Sequence, residues 1–137
     1  MKTIAVGYDG TEAAERALER ASELAKAFGS HVILTSVSPV MTGTSRGGGS
    51  VDPTDPPGEH ETLLDTAKAK LAERGVSAET VLGVGDPAEA IVQLAEERGA
   101  DLIVVGTREP GLWERVLGHS VSASVQRHAR CDVLIVH

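Results

Sequence analysis

Short apolar runs alternate with longer amphipathic segments along most of the chain. Thr3–Tyr8, His31–Val37 and Asp101–Val105 are rich in β-branched and aliphatic residues, which predicts buried strands. Val76–Leu82 alternates between apolar and polar positions, and Val133–Val136 is a last short apolar run. We therefore predict that both of these segments are strands as well.

Four segments between and after these strands are predicted to be helices. The first is Glu12–Phe28, with Thr11 or Gly10 as its N-cap and Gly29 as its C-terminal stop. Its apolar residues recur at the spacing of one helix face and should face the sheet; they are Ala14, Leu18, Ala21 and Ala25. The other predicted helices are Glu59–Arg74 ending at Gly75, Pro87–Arg98 with Asp86 as N-cap and Gly99 as stop, and Ser120–His128.

Residues 41–58 depart from this pattern, because they are rich in glycine, proline and hydroxyl residues. We expect a mobile loop inside a single domain that spans residues 1–137. Strands separated by single helices predict a parallel sheet that is covered on both faces. The predicted fold is α/β: a five-stranded, doubly wound parallel sheet in a three-layer α/β/α arrangement, Rossmann-like, with ligands at the carboxyl ends of the strands.

The composition of the chain limits the classes of partner that it is expected to bind. Aromatic residues make up 2% of the chain, so no stacking platform for single-stranded nucleic acid is available. The net charge of −7 argues against nucleic acids and anionic membranes. Cys131 is the single cysteine, so no disulfide can form within the chain, which fits a reducing compartment. The first apolar run is too short for a signal peptide, and no apolar run reaches the ~20 residues of a membrane span. We therefore expect a cytoplasmic protein with neither nucleic-acid nor membrane partners.

Familiar motifs of other doubly wound proteins are missing from the sequence. It contains no G-x-x-x-x-G-K-[ST] loop, and no G-x-G-x-x-G follows the first strand. The five histidines are scattered without a C-x-x-C or H-x-x-E-H pattern, so no metal is expected. No nucleophile has a motif partner, and we assign no catalytic residue.

The segment from residue 101 to residue 136 carries the strongest functional signal. A buried strand runs into Gly106 and a polar loop, and a helix is predicted to begin at Ser120. This order places main-chain N–H groups and a helix N-terminus at the carboxyl end of the sheet, where phosphates bind.

Four segments, in order along the chain, carry a family resemblance. Ile4–Thr11 and Gly85–Ile91 are similar to a first strand with an Asp-Gly-Ser turn and to a Gly-x-Pro helix start, while Asp101–Gly106 and Arg130–Val136 are similar to the last two strands. Together they resemble the universal stress protein family over the whole chain. The resemblance implies the adenine nucleotide alpha hydrolase-like form of the Rossmann-like fold.

The resemblance also implies a nucleotide site. The ATP-binding branch of the family carries G-x2-G-x9-G-[ST] after the fourth strand. Counted from Gly106, this pattern puts Glu109 and His119 at two glycine positions and Ser120 at the hydroxyl position. An alternative register on Gly111 and Gly118 keeps three glycines but breaks the spacing.

The two replaced glycines affect the phosphate half of such a site. Glu109 adds a carboxylate, whose repulsion of a phosphate is about 1 kcal/mol in water and several times that at lower dielectric. His119 adds bulk, or donates a ring N–H to an anion. Arg108 either clamps a phosphate or pairs with Glu109.

The adenosine half is better preserved. In the family, the aspartate after the first strand meets the ribose, and the main chain at the end of the second strand meets adenine. These positions correspond to Asp9 and Val37 in this chain. Capping of the next turn is an alternative role for Asp9, as helix capping is for Ser120. The candidate nucleotide-binding residues are Gly7, Tyr8, Asp9, Val37, Gly106, Thr107, Arg108, Glu109, His119, Ser120 and Val121.

Three functional classes follow from the resemblance. The first is a stress-response regulatory module that binds an adenine nucleotide: AMP, cyclic AMP, as in some actinobacterial relatives, or ATP. The second is a dimeric interaction protein that does not bind nucleotide, and the third is a slow ATPase. Because Val133–Val136 is short, uncharged and predicted to lie at a sheet edge, we expect a homodimer through this strand.

Overall fold

A computed structural model describes residues 1–38, 40–41, 50–51, 57–107 and 121–137. The strands are β1 (Thr3–Gly7), β2 (His31–Ser38), β3 (Val40–Met41), β4 (Ser50–Val51), β5 (Ala78–Val84), β6 (Leu102–Gly106) and β7 (Asp132–Val136). The helices are α1 (Glu12–Phe28), α2 (Pro57–Glu73), α3 (Pro87–Arg98) and α4 (Val121–His128).

Five strands form one parallel sheet in the order β5-β2-β1-β6-β7. The predicted five-stranded parallel sheet is thereby confirmed. The chain winds outward from β1 through β2 to β5 and then returns to β6 on the other side of β1. The winding therefore reverses between β1 and β6, where a ligand site is expected at the carboxyl ends of the strands. Strand β7 lies at an edge of this sheet.

Alternate residues of each central strand face opposite helical layers. Ile4 and Val6 of β1 pack with α1 and α2, and Ala5 packs with α3 and α4. The two apolar cores that result are built almost entirely from aliphatic residues and alanine. This arrangement confirms the three-layer α/β prediction.

Most of the predicted helix ends are observed. Thr11 caps α1, because its Oγ1 accepts the Ala14 N–H at 3.2 Å, and Gly29 ends that helix with a φ of +67°. Asp86 caps α3 through the Glu89 N–H at 3.0 Å. Local capping chemistry thus defines these boundaries from the sequence alone.

The segment over residues 41–58, predicted as a mobile loop, includes regular structure at both ends. Val40 and Met41 pair antiparallel with Val51 and Ser50, and α2 begins at Pro57 rather than at Glu59. Proline suits a first helical turn, where its missing N–H has no partner to lose. Residues 42–49 and 52–56 lie outside the described residues, so the mobility of this segment stays a prediction.

The predicted strand Val76–Leu82 is displaced by two residues at each end and is observed at Ala78–Val84. The Val76 N–H donates to Leu71 O at 2.9 Å, which closes the turn after α2 and delays the strand. The helix start predicted at Ser120 falls outside the described residues, and the described part of α4 begins at Val121.

We expect Asp101 to stabilise the start of β1 in a pH-dependent way. Its Oδ2 accepts the Thr3 N–H at 3.0 Å and the Lys2 N–H at 2.8 Å, and these bonds lower the pKa of its carboxyl below its ordinary value of 3.8. A depressed folded-state pKa stabilises the fold above the unfolded value, and that contribution is lost as pH falls through the folded value.

The Asp101→Asn variant should therefore be less stable than wild type at about pH 7 and nearly equal to it at about pH 2. Urea unfolding across this range measures the difference. Asp132→Asn, which removes an exposed carboxylate at the same end of the sheet, serves as the control. A difference for Asp101→Asn that stays constant with pH would contradict the assignment.

Candidate nucleotide site at the carboxyl edge of the sheet

The described candidate residues other than Val121 lie at or next to the carboxyl ends of β1, β2 and β6. Gly7 ends β1, beside Thr35 of β2, and the next main-chain N–H, that of Tyr8, donates to Thr35 O at 2.9 Å. Gly106 ends β6 on the other side of β1. The three strand ends that were predicted to hold a nucleotide are therefore neighbours.

Asp9 organises the turn between β1 and α1. Its Oδ1 accepts the Thr11 N–H at 3.1 Å and the Thr11 hydroxyl at 2.6 Å, and Thr11 in turn caps α1. The capping role that was held open for Asp9 is thus confirmed. Asp9 is half-buried and lies beside the N-terminus of α1. A ribose contact from its carboxylate stays a prediction.

Tyr8 contributes its main chain to this edge, since its ring belongs to the core. The side chain is 3% exposed and its hydroxyl is hydrogen-bonded to the Glu15 carboxylate. Burial, followed by the contact with Glu15, raises the pKa of the Tyr8 hydroxyl. Glu15 also accepts from Lys70 Nζ at 2.8 Å, so the network links the residue after β1 to α1 and α2.

Gly106 is required by packing in this structure. A Cβ on it would lie 2.5 Å from Ala13 O and 2.6 Å from Ala13 C, both main-chain atoms of α1. A Cβ on Gly7 would lie 2.8 Å from Ile91 Cδ1, the end of a flexible side chain. The close approach of β6 to α1 therefore explains Gly106 without any phosphate.

Val37 and Thr107 lie at the two sides of the site. The Val37 side chain packs toward α3, with its Cγ2 3.1 Å from the place of a Cβ on Gly83. The Thr107 N–H donates to Val136 O at 2.9 Å and its hydroxyl donates to the same oxygen at 3.3 Å. Thr107 thus ties the loop after β6 to the end of β7.

The phosphate half of the predicted site is not described. Arg108, Glu109, His119 and Ser120 lie outside the described residues, and Val121 is the half-buried first residue of α4. The assignments of these residues stay predictions. Within the described ranges there is no group of three His, Cys, Asp or Glu side chains placed to hold a metal ion. No helix in those ranges is long and apolar enough to span a bilayer.

Sequence reasoning missed a buried polar pair close to this edge. Ser36 of β2 and His60 of α2 are 2% and 7% exposed, and Ser36 Oγ lies 2.5 Å from His60 Nδ1 in a hydrogen bond. The two residues are 24 positions apart. Only the docking of α2 on the sheet brings them together.

Fold and site together define a class. The chain is a doubly wound α/β domain whose candidate site lies at the topological switch point, where proteins of this architecture bind their ligands. A model of the universal stress protein family matches residues 1–137, and the chain belongs to that family. The resemblance inferred from the four sequence segments is thereby confirmed.

Individual relatives cover nearly the whole chain. The universal stress protein YxiE of Bacillus subtilis is 38% identical, over 96% of this chain and 95% of its own. A universal stress protein structure in complex with cAMP aligns with a TM-score of 0.76 at 31% identity, covering 99% of this chain and 97% of that one. The universal stress protein of Archaeoglobus fulgidus in complex with dAMP aligns with a TM-score of 0.77 at 27% identity, covering 100% and 98% of the two chains.

Proposed function

We propose that the protein is a regulatory module of the stress response that binds an adenine nucleotide at the carboxyl ends of β1, β2 and β6. The observation that carries the proposal is that the carboxyl ends of β1, β2 and β6 lie side by side, with Asp9 just after β1 and Val37 near the end of β2. Its support from relatives is that the two structures with cAMP and dAMP align over nearly the whole chain.

The ribose and the base of a nucleoside monophosphate have candidate partners among the described residues. The half-buried carboxylate of Asp9 suits the ribose hydroxyls, since charge-assisted hydrogen bonds are strong. Main-chain groups at Val37 suit the base. The partners of the phosphate are predicted from the sequence alone, because Arg108, Glu109, His119 and Ser120 lie outside the described residues. Main-chain N–H groups at a helix N-terminus would suit one phosphate.

AMP or cyclic AMP fits this site better than ATP does. One phosphate needs less close approach of the backbone than three, and Glu109 and His119 stand where glycines would admit a triphosphate. The altered loop therefore weakens ATP binding more than it weakens monophosphate binding. A slow ATPase has the least support, because no sequence motif pairs Asp9 or Glu109 with a group that would make it a base.

Calorimetric titration with AMP, cyclic AMP and ATP tests the proposal. Asp9→Asn keeps an oxygen that can accept from Thr11 but removes the charge, and we expect it to weaken AMP binding by roughly tenfold or more. Asp86→Asn is the matched control, because it makes the same change at the N-cap of α3 and should leave affinity unaltered. Absence of heat with all three nucleotides would refute the proposal.

We also propose that the protein acts in the cytoplasm as a homodimer through β7. Strand β7 is an edge strand, and Val133, Leu134, Ile135 and Val136 are all only half-buried. The four residues Val133–Val136 carry no charge, and an edge segment of this kind favours pairing with a second copy. Sedimentation velocity should give a dimer at micromolar concentration, and a monomer at that concentration would contradict the proposed homodimer. A dimer that binds none of the nucleotides would instead favour the interaction protein that lacks nucleotide binding.

A further inference from the structure

The buried pair Ser36–His60 joins α2 to the end of a strand of the candidate site. Ser36 is the third residue from the end of β2, and His60 lies in the first turn of α2. Their hydrogen bond of 2.5 Å is shielded from water, because both side chains are buried. Such a bond is expensive to break, since a buried polar atom would lose its partner.

The position of the pair relates it to the base. Successive side chains of a strand point to opposite faces, so Ser36 faces α2 while Val37 faces α3. Ser36 and Val37 share a peptide unit, and the main chain at Val37 is the proposed partner of adenine. Holding the Ser36 side chain therefore holds the main-chain groups that read the base.

The opposite face of β2 is held at the same level. Val37 packs beside Gly83 of β5, and the two residues are paired in the sheet register. On the side of β2 that adjoins β1, the Tyr8 N–H donates to Thr35 O. The carboxyl end of β2 is thus fixed from β1, from β5 and, through His60, from α2.

We propose that Ser36 and His60 are positioning residues that set the base selectivity of the nucleotide site. The inference rests on the proposed function. The pair acts through Val37: it holds the main-chain N–H and C=O there in one position. A donor and an acceptor fixed in this way can distinguish adenine from guanine, because the two bases present opposite donor and acceptor patterns.

The test compares AMP with GMP by calorimetry. Wild type should prefer AMP, and Ser36→Ala and His60→Leu should each lower AMP affinity by about tenfold while GMP affinity changes little. His60→Asn should restore the AMP preference, because its amide occupies the place of Nδ1 and keeps the bond to Ser36.

Ser22→Ala is the matched control. Ser22 is also a buried serine, 1% exposed, and its Oγ accepts from Arg74 Nη1 at 3.0 Å, which links α1 to the residue that follows α2. Its loss should lower thermal stability without changing the ratio of AMP to GMP affinity. The control therefore separates positioning of the base from general loosening of the α2 layer.

A measurement on wild type covers the case in which the variants do not fold. AMP should shift the ring ¹⁵N resonances of His60 and leave those of His31, at the other end of β2, unchanged. Wild-type selectivity in Ser36→Ala and His60→Leu, or an unmoved His60 resonance on AMP binding, would overturn the inference alone. Failure of wild type to bind either nucleotide would overturn the proposed function and the inference together.

Discussion

Replacing Gly106 by alanine should destabilise the protein markedly, with or without nucleotide. The added Cβ would stand 2.5 Å from Ala13 O, and main-chain atoms cannot rotate aside as a side chain can. Either β6 or α1 must shift, and overpacking of this kind costs about 1–3 kcal/mol. For a chain of this length the midpoint of thermal unfolding should fall by roughly 5 °C or more.

Two other glycines serve as controls for this experiment. Gly7→Ala meets first the end of the Ile91 side chain, so its cost should be smaller than that of Gly106→Ala. Gly58 lies in α2 with open space around it, and alanine there should be neutral or slightly stabilising. Equal melting temperatures for Gly106→Ala and Gly58→Ala would show that the contact with Ala13 is not as tight as the structure indicates. If Gly106→Ala lowers the melting temperature as predicted, packing against Ala13 is sufficient to explain Gly106, and this glycine is not by itself a sign of phosphate binding.

The double variant Glu109→Gly, His119→Gly should gain affinity for ATP. Removing Glu109 abolishes a like-charge repulsion of about 1 kcal/mol in water and about 4 kcal/mol at an effective dielectric constant of 20. Removing His119 frees space for the backbone to approach the phosphates. The gain should therefore be at least about tenfold, and it should be smaller for AMP, which carries one phosphate.

Glu109→Gln separates charge from bulk in this experiment. It removes the carboxylate but keeps the Cβ, so it should recover only the electrostatic part of the gain. Calorimetric titration of wild type, Glu109→Gln and the double variant with ATP and AMP gives the change in affinity of each variant for each nucleotide. If the double variant binds ATP no better than wild type does, the native loop is not what limits triphosphate binding.

Much of the fold was predictable because its signals are local. The cap at Thr11, the stop at Gly29 and the cap at Asp86 each depend on residues within one turn of the helix end. Apolar strands separated by single helices leave few alternatives to a doubly wound parallel sheet. The short β3–β4 ladder was missed because glycine and proline dominate the surrounding segment and carry no strand signal.

The candidate site was only partly predictable. Asp9 and Val37 were located through the family resemblance, and the structure places both at the predicted edge. The engagement of the Tyr8 hydroxyl by Glu15 was not foreseen, nor was the contact of Gly106 with Ala13. A Tyr at the end of a strand looks the same in the sequence whether its ring enters the core or a ligand site.

The sequence by itself determined the order of the main strands and helices, the sheet type and the family, and it located the two residues that we predict to disfavour a triphosphate, since these follow from periodicity, capping and motif spacing. Only the tertiary structure decided which polar groups meet. Ser36 with His60, and Glu15 with Lys70, lie 24 and 55 positions apart. No local pattern encodes such pairs, because they exist only once α2 has packed against the sheet and α1.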